Sequence, residues 1–239
     1  HRVTRLGRAS VLGPVATHGL TLTDYAGFSE TVAAPALTLS EDPDCLAGAD
    51  LVLVTVKTAA TAGIAAEIAD RTGQGVPVVS LQNGMAAVEA LRAALPGRDV
   101  RAGMVPFNVV PLGEGRFHRA TSGDILIGQG AVDLSVSVPG LRVAETPDIT
   151  AIQWGKLVIN LNNALNALSG LTLQEQLLDR DWRRLMADQM AEALRVLRAA
   201  GIAVRSTTPL PARLIPAVLR LPTPVLRRSA ARMRAGGPS

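Results

Sequence analysis

Two short apolar runs constrain this chain more than anything else in it. Residues 50–57 (Asp50-Leu51-Val52-Leu53-Val54-Thr55-Val56-Lys57) and 76–81 (Val76-Pro77-Val78-Val79-Ser80-Leu81) are rich in Val and do not alternate apolar with polar. A run of that length and texture predicts a strand buried on both faces of a parallel sheet. A helical stretch, 59–71, separates the two, and a second, 86–95, follows the loop Gln82-Asn83-Gly84-Met85. Parallel strands cannot be joined by a tight turn, so strand, helix, strand, helix in this order predicts a doubly wound α/β domain.

The flanking segments extend that reading. Residues 3–6 form a short strand candidate, and 9–39, with turn signals at Gly13-Pro14, Gly19 and Gly27, predict a looser hairpin or excursion. From 100 to 128 short strands and turns fit antiparallel strands closing one edge of the sheet. After Pro147-Asp148, with Asp148 or Thr150 as a helix cap, the chain reads as helix over 150–168 and 174–200, with Gly201 ending the second, and as Pro-broken helix over 210–234. The expected domains are 1–147 and 148–239.

Composition narrows the function classes. With 239 residues, 48% hydrophobic and 18% charged, the chain is neither disordered nor a highly charged coiled coil. No apolar stretch approaches the length of a bilayer span, and no secretion signal opens the chain, so the expected compartment is the cytoplasm. One cysteine, Cys45, and three scattered histidines, His1, His18 and His118, argue against a disulfide or a metal site. Residues 182–239 carry eleven Arg against Asp188 and Glu192, a local charge of +9 within a net +4. A basic segment suggests nucleic acid or an anionic membrane, but no Tyr or Phe interleaves here to stack on bases. A solvated helical face is the favoured reading.

Lysine usage is more telling. Of 24 basic residues only Lys57 and Lys156 are lysine. A lysine offers a compact ammonium that can be tuned to release a proton, which arginine cannot. Lys57 and Asn83 stand at the C-terminal ends of the two predicted parallel strands, where open α/β sheets bind ligands. Each also has a bland reading: a solvated lysine, and an Asn-Gly pair chosen for its turn. The stretch 154–168 holds four of the chain's six asparagines in an otherwise apolar helix, although Asn is a poor helix former. Lys156, Asn160 and Asn163 at i, i+4 and i+7 project from one face of such a helix. That strip suits a substrate bearing carbonyl, hydroxyl and carboxylate groups; a structural polar network between helices is the competing reading.

Residues 50–57, Leu81 to Met85, the helix 154–168 and Leu219-Arg220-Leu221-Pro222-Thr223-Pro224 together resemble the 2-dehydropantoate 2-reductase (ketopantoate reductase) family over nearly the whole chain. The resemblance implies a Rossmann-like N-terminal domain, an all-α C-terminal domain and an active site between them. It also implies NADPH-dependent reduction of ketopantoate to pantoate on the route to pantothenate and coenzyme A. By the same resemblance Lys156 is the catalytic proton donor. Arg8, which reads the 2′-phosphate, Lys57 and Asn83 are cofactor-side residues. Asn83, Asn160 and Asn163 bind substrate, a homodimer is the candidate assembly, and no nucleic acid or membrane is involved.

The sequence departs from the family pattern in two places. It has no G-x-G-x-x-G turn and opens at what corresponds to the second Rossmann strand, so apolar strand edges should be exposed. It ends before the region where the family carries a further substrate-binding serine and a glutamate. The expectation is an incomplete domain at each end, with a chain that is poorly active or unstable as given. Three alternatives remain beside the reductase: a reductase of another 2-oxo acid, a non-catalytic protein that keeps the fold and binds a nucleotide or a partner, and, ranked last, a nucleic-acid binder acting through the basic segment. A soluble, monodisperse sample with ordinary turnover would overturn the expectation of a defective chain.

Overall fold

A computed structural model describes residues 2–131, 134 and 136–225. The chain divides into two compact units, His1–Ile149 and Thr150–Ser239, so the division falls two residues beyond the expected boundary at 147.

The first unit runs β1 (Thr4–Leu6), α1 (Ala9–His18), β2 (Leu20–Asp24), β3 (Ser29–Val32), β4 (Thr38–Ser40), β5 (Val52–Val54), α2 (Thr61–Arg71), β6 (Val78–Ser80), α3 (Ala86–Ala94) and β7 (Val100–Met104). It continues with β8 (Val109–Gly113), β9 (Arg116–Arg119), β10 (Ile125–Gly128) and β11 (Val143–Thr146). A five-stranded sheet has the order β11-β10-β7-β6-β5. Its β5, β6 and β7 are parallel, each step crossing over through α2 or α3, and β10 pairs antiparallel with β7. This is the doubly wound pattern with an antiparallel closure. Val78 and Val79 are fully buried at its centre, with Ala65, Ile68 and Leu91 on the helices.

Three expectations need correction. The segment 9–39 does contain a hairpin, β2–β3, but its first third is the helix α1, with Pro14 inside it. Buried Leu12 and Val15 anchor that helix, and a proline costs it only one internal bond, so packing outweighs the turn signal. The segment 100–128 does not all join the main sheet: β8 and β9 form a separate four-stranded sheet with β2 and β3, in the order β3-β2-β9-β8. Finally, β5 is not buried on both faces. Val52 and Val54 are buried, while Leu53 between them is 50% exposed. An apolar run reads the same whether one face or both are covered.

The strands β1 and β4 pair only with each other, in parallel, and β5 is an end strand of the five-stranded sheet. Apolar side chains are exposed at both places: Val3, just before β1, is 73% exposed, and Leu53 lies in β5.

The second unit is helical: α4 (Ile149–Asn160, whose first residue lies in the first unit), α5 (Asn162–Ser169), α6 (Leu173–Leu178), α7 (Arg180–Ala199) and α8 (Ile215–Leu219). Each of the two predicted long helices is therefore divided. The first breaks at Leu161. The second breaks at Asp179, whose carboxylate accepts from the amides of Asp181 and Trp182 and so starts α7 as a fresh helix. At the start of α6, Thr172 and Glu175 form a reciprocal capping box. Val158, Met186, Met190, Leu197 and Leu219 make the core. Of the predicted 210–234 stretch, α8 and a turn at 223–225 are helical, and residues 226–234 lie outside the described residues. So do four arginines of the basic segment, Arg227, Arg228, Arg232 and Arg234. Among the described residues no helix is long and apolar enough to cross a membrane, and no group of three or more His, Cys, Asp or Glu could hold a metal ion.

The second unit is tied together by Arg183, whose side chain is 1% exposed. Its Nε donates to Leu219 O (3.1 Å), Nη1 to Leu177 O and Leu178 O (2.9 and 3.1 Å), and Nη2 to Leu221 O and Thr223 Oγ1 (both 3.0 Å). One guanidinium thus satisfies the end of α6 and the chain leaving α8. Arg183→Met should destabilise this unit by about 2–4 kcal/mol, because buried carbonyls lose their donors. Arg183→Lys should recover only part, and the urea midpoint of the unfolding transition measures both.

Candidate functional site

In the first unit the residues of interest stand where strands end. Lys57 follows β5 in extended conformation and opens a 3-10 turn, Thr58–Ala60, that leads into α2. Its side chain is exposed. One strand over, β6 ends at Ser80, and Asn83 and Gly84 form the turn into α3. Gly84 has φ +86 with open space where a Cβ would be, a conformation that favours glycine. Asn83 is exposed. Arg8, also exposed, lies in extended conformation just after β1 and immediately before α1. The structure therefore sets Arg8, Lys57 and Asn83 each past the C-terminal end of a parallel strand. Two fixed cations and a carboxamide are a donor set that fits an anionic dinucleotide.

Between Lys57 and Asn83 lies a residue to which the sequence reading assigned no role. The Gln82 side chain is buried, and its Nε2 donates to Val56 O (2.8 Å) and Thr61 Oγ1 (2.9 Å), while its Oε1 accepts from Ser80 Oγ (3.1 Å). Nothing in the strand pattern distinguishes it. The only hint is a polar side chain in the position next after a buried strand.

In the second unit Lys156 and Asn160 stand one turn apart on α4, both half-buried. Burial lowers the Lys156 pKa from its ordinary value, because removing the ammonium from water disfavours the charged form. Gly155, beside it, is required by a close approach. A Cβ there would collide with Arg205 O, and Arg205 N donates to Ala151 O (2.9 Å), so the chain after α7 is laid against α4 at the lysine.

The predicted single face is only partly seen. Asn163 belongs to α5, beyond the break at Leu161, and is exposed, whereas Asn162 turns inward. Asn162 Nδ2 donates to Gln176 Oε1 (3.1 Å), and Asn166 Nδ2 donates to the same atom (3.2 Å). The competing reading of a structural network thus describes Asn162 and Asn166. The clustering of asparagines pointed to this segment, but helical phase across an unforeseen break could not say which would turn inward.

Residues 1–131 match the family described as Ketopantoate reductase PanE/ApbA, and residues 148–230 match its C-terminal counterpart, Ketopantoate reductase PanE/ApbA C terminal. A 2-dehydropantoate 2-reductase of Halobacterium salinarum is 29% identical over 176 residues, covering 70% of this chain and 58% of the relative. The chain thus spans well under two thirds of that relative's length. The crystal structure of a PanE/ApbA family ketopantoate reductase from Ralstonia eutropha superposes with TM-score 0.74 at 26% identity, over 97% of this chain and 78% of that one. A D-mandelate dehydrogenase, solved with NADH and anilino(oxo)acetate, has TM-score 0.68 at 15% identity over 90% and 69% of the two chains, a likeness of fold alone.

With only two lysines in the chain, the ammonium of Lys156 can be read directly. In lysine-labelled protein, the resonance lost in Lys156→Met should titrate below 10.5, the ordinary value. Between the depressed pKa and that value the unfolded chain binds the proton that the folded one has released, so this group makes stability rise with pH across the window. A midpoint at the ordinary value would show that the ammonium is not desolvated.

Proposed function

The chain belongs to the ketopantoate reductase PanE/ApbA family, and from that membership we propose that it reduces 2-dehydropantoate to pantoate with NADPH as the reductant. The observation that carries the reading is Lys156, a half-buried ammonium of lowered pKa, with the Asn160 carboxamide one turn along the same helix.

NADPH, when bound, supplies the hydride to the ketone carbon. As the carbonyl π bond breaks, negative charge gathers on the ketone oxygen. The Lys156 ammonium stabilises that charge and transfers its proton to the oxygen, and solvent then reprotonates the amine. The balance is ketone plus NADPH plus one proton to alcohol plus NADP⁺. A guanidinium is too weak an acid for the transfer, which gives a reason for a lysine to stand here in a chain that otherwise uses arginine. Asn160 and Asn163 offer amide hydrogens and oxygens to the substrate's hydroxyl and carboxylate. On the cofactor side, Arg8 would bind the 2′-phosphate, with Lys57 and Asn83 holding the rest of the dinucleotide.

A second 2-oxo acid is the alternative substrate, since the fold also serves a D-mandelate dehydrogenase. NADPH oxidation followed against ketopantoate and a panel of 2-oxo acids, including an aryl one, separates the two. Lys156→Ala should lower kcat by about 10²–10⁴-fold. In the unsubstituted chain kcat should fall on the alkaline side as Lys156 loses its proton, with a midpoint below 10.5. Turnover that survives Lys156→Ala unchanged would remove the lysine from the mechanism, and preference for another 2-oxo acid would replace the substrate.

A further inference from the structure

The last backbone bond of the β5–β6 ladder runs from Leu81 N to Val54 O (2.9 Å). Beyond it the two strands diverge into separate loops, one carrying Lys57 and the other Asn83. The Gln82 side chain, 7% exposed, continues the ladder where the backbone stops. Its Nε2 reaches Val56 O, the carbonyl immediately before Lys57, and also Thr61 Oγ1, at the first residue of α2. The turn bearing Lys57 is thereby tied at both ends to one carboxamide. On its other side, Oε1 is held by Ser80 Oγ, at the end of β6.

The orientation of this carboxamide is not interchangeable. Val56 O can only accept, so the NH₂ group must face it and the oxygen must face Ser80. Both amide hydrogens are used, and Thr61 and Ser80 are themselves buried. A tie made by a side chain also has a consequence that a longer backbone ladder would not have. It leaves Asn83 and Gly84 to turn away from the strand, with the Asn83 and Lys57 side chains exposed.

We propose that Gln82 is a positioning residue of the cofactor site: it fixes the spacing between Lys57 and Asn83 so that both engage one dinucleotide. The proposal rests on the reading of those two residues as cofactor-side groups. Gln82 touches no ligand itself; it acts through the segments 56–61 and 83–84. Substitution should therefore weaken nucleotide binding by the folded protein, rather than merely lower its stability.

The test is titration of the full chain with NADP⁺, followed calorimetrically, for the unsubstituted protein, Gln82→Met and Gln82→Glu, with thermal unfolding run alongside. Gln82→Met keeps the volume but not the hydrogen bonds, and should raise Kd about ten-fold while the folded fraction at the assay temperature stays complete. Gln82→Glu supplies an internal control. Its protonated carboxyl can donate to Val56 O, whereas its carboxylate faces that carbonyl with like charge. Its affinity should approach that of the unsubstituted chain at pH 5.5 and fall at pH 8 by a larger factor than the unsubstituted chain shows between the same two pH values. Equal Kd values for the unsubstituted chain and Gln82→Met, or a pH response of Gln82→Glu no different from that of the unsubstituted chain, would overturn the role of Gln82 alone. An unsubstituted chain that is folded and binds no NADP⁺ would overturn the cofactor reading, and the role of Gln82 with it.

Discussion

Parallel strand pairing is the constraint on which the first unit depends. A parallel ladder cannot be closed by a tight turn, so β5, β6 and β7 are joined through α2 and α3, and their C-terminal ends come out on one rim. That rim is where the ladder runs out of backbone partners. Lys57, Gln82 and Asn83 all stand there. Past the ladder's end the Gln82 side chain donates to the Val56 carbonyl and to Thr61 Oγ1. The neighbours it spares, Lys57 and Asn83, are left facing solvent.

The helical unit meets the same requirement differently. It has no sheet, so its chain ends and helix ends are satisfied by single side chains: the guanidinium of Arg183, the Thr172–Glu175 capping box and the Asp179 cap. The buried charge of Arg183 is spread over five neutral acceptors rather than matched to one carboxylate. Lys156 stands in contrast. Burial takes its ammonium out of water, and the lowered pKa follows from that. One buried cation is held by neutral acceptors, and the other is half-buried with its pKa lowered.

Much of this was legible in the residues. The runs 50–57 and 76–81 announced strands, the stretches after them announced crossover helices, and the scarcity of lysine drew attention to Lys57 and Lys156. Resemblance to a known family was carried by the same segments that the structure places at strand ends and on α4. What was not legible is equally specific. Gly13-Pro14 read as a turn because local preference favours one, yet Leu12 and Val15 found a core to pack into and the helix α1 formed across it. Four asparagines marked 160–166 as unusual, but their inward or outward placement depended on a break at Leu161 and on Gln176, a residue of another helix.

The amino-acid sequence by itself determined the parallel strands and their crossover helices, because period and length of apolar runs are local properties of the chain. It also determined where the two lysines and the cluster of asparagines stand along those segments. Tertiary structure alone decided the coverage of each face and the partner of each buried polar group. Leu53 is half exposed while Val52 and Val54 are buried, and Gln82 is a tie rather than a bystander, because burial and hydrogen bonding are relations between residues distant in sequence. No local pattern encodes a partner that lies twenty or more positions away.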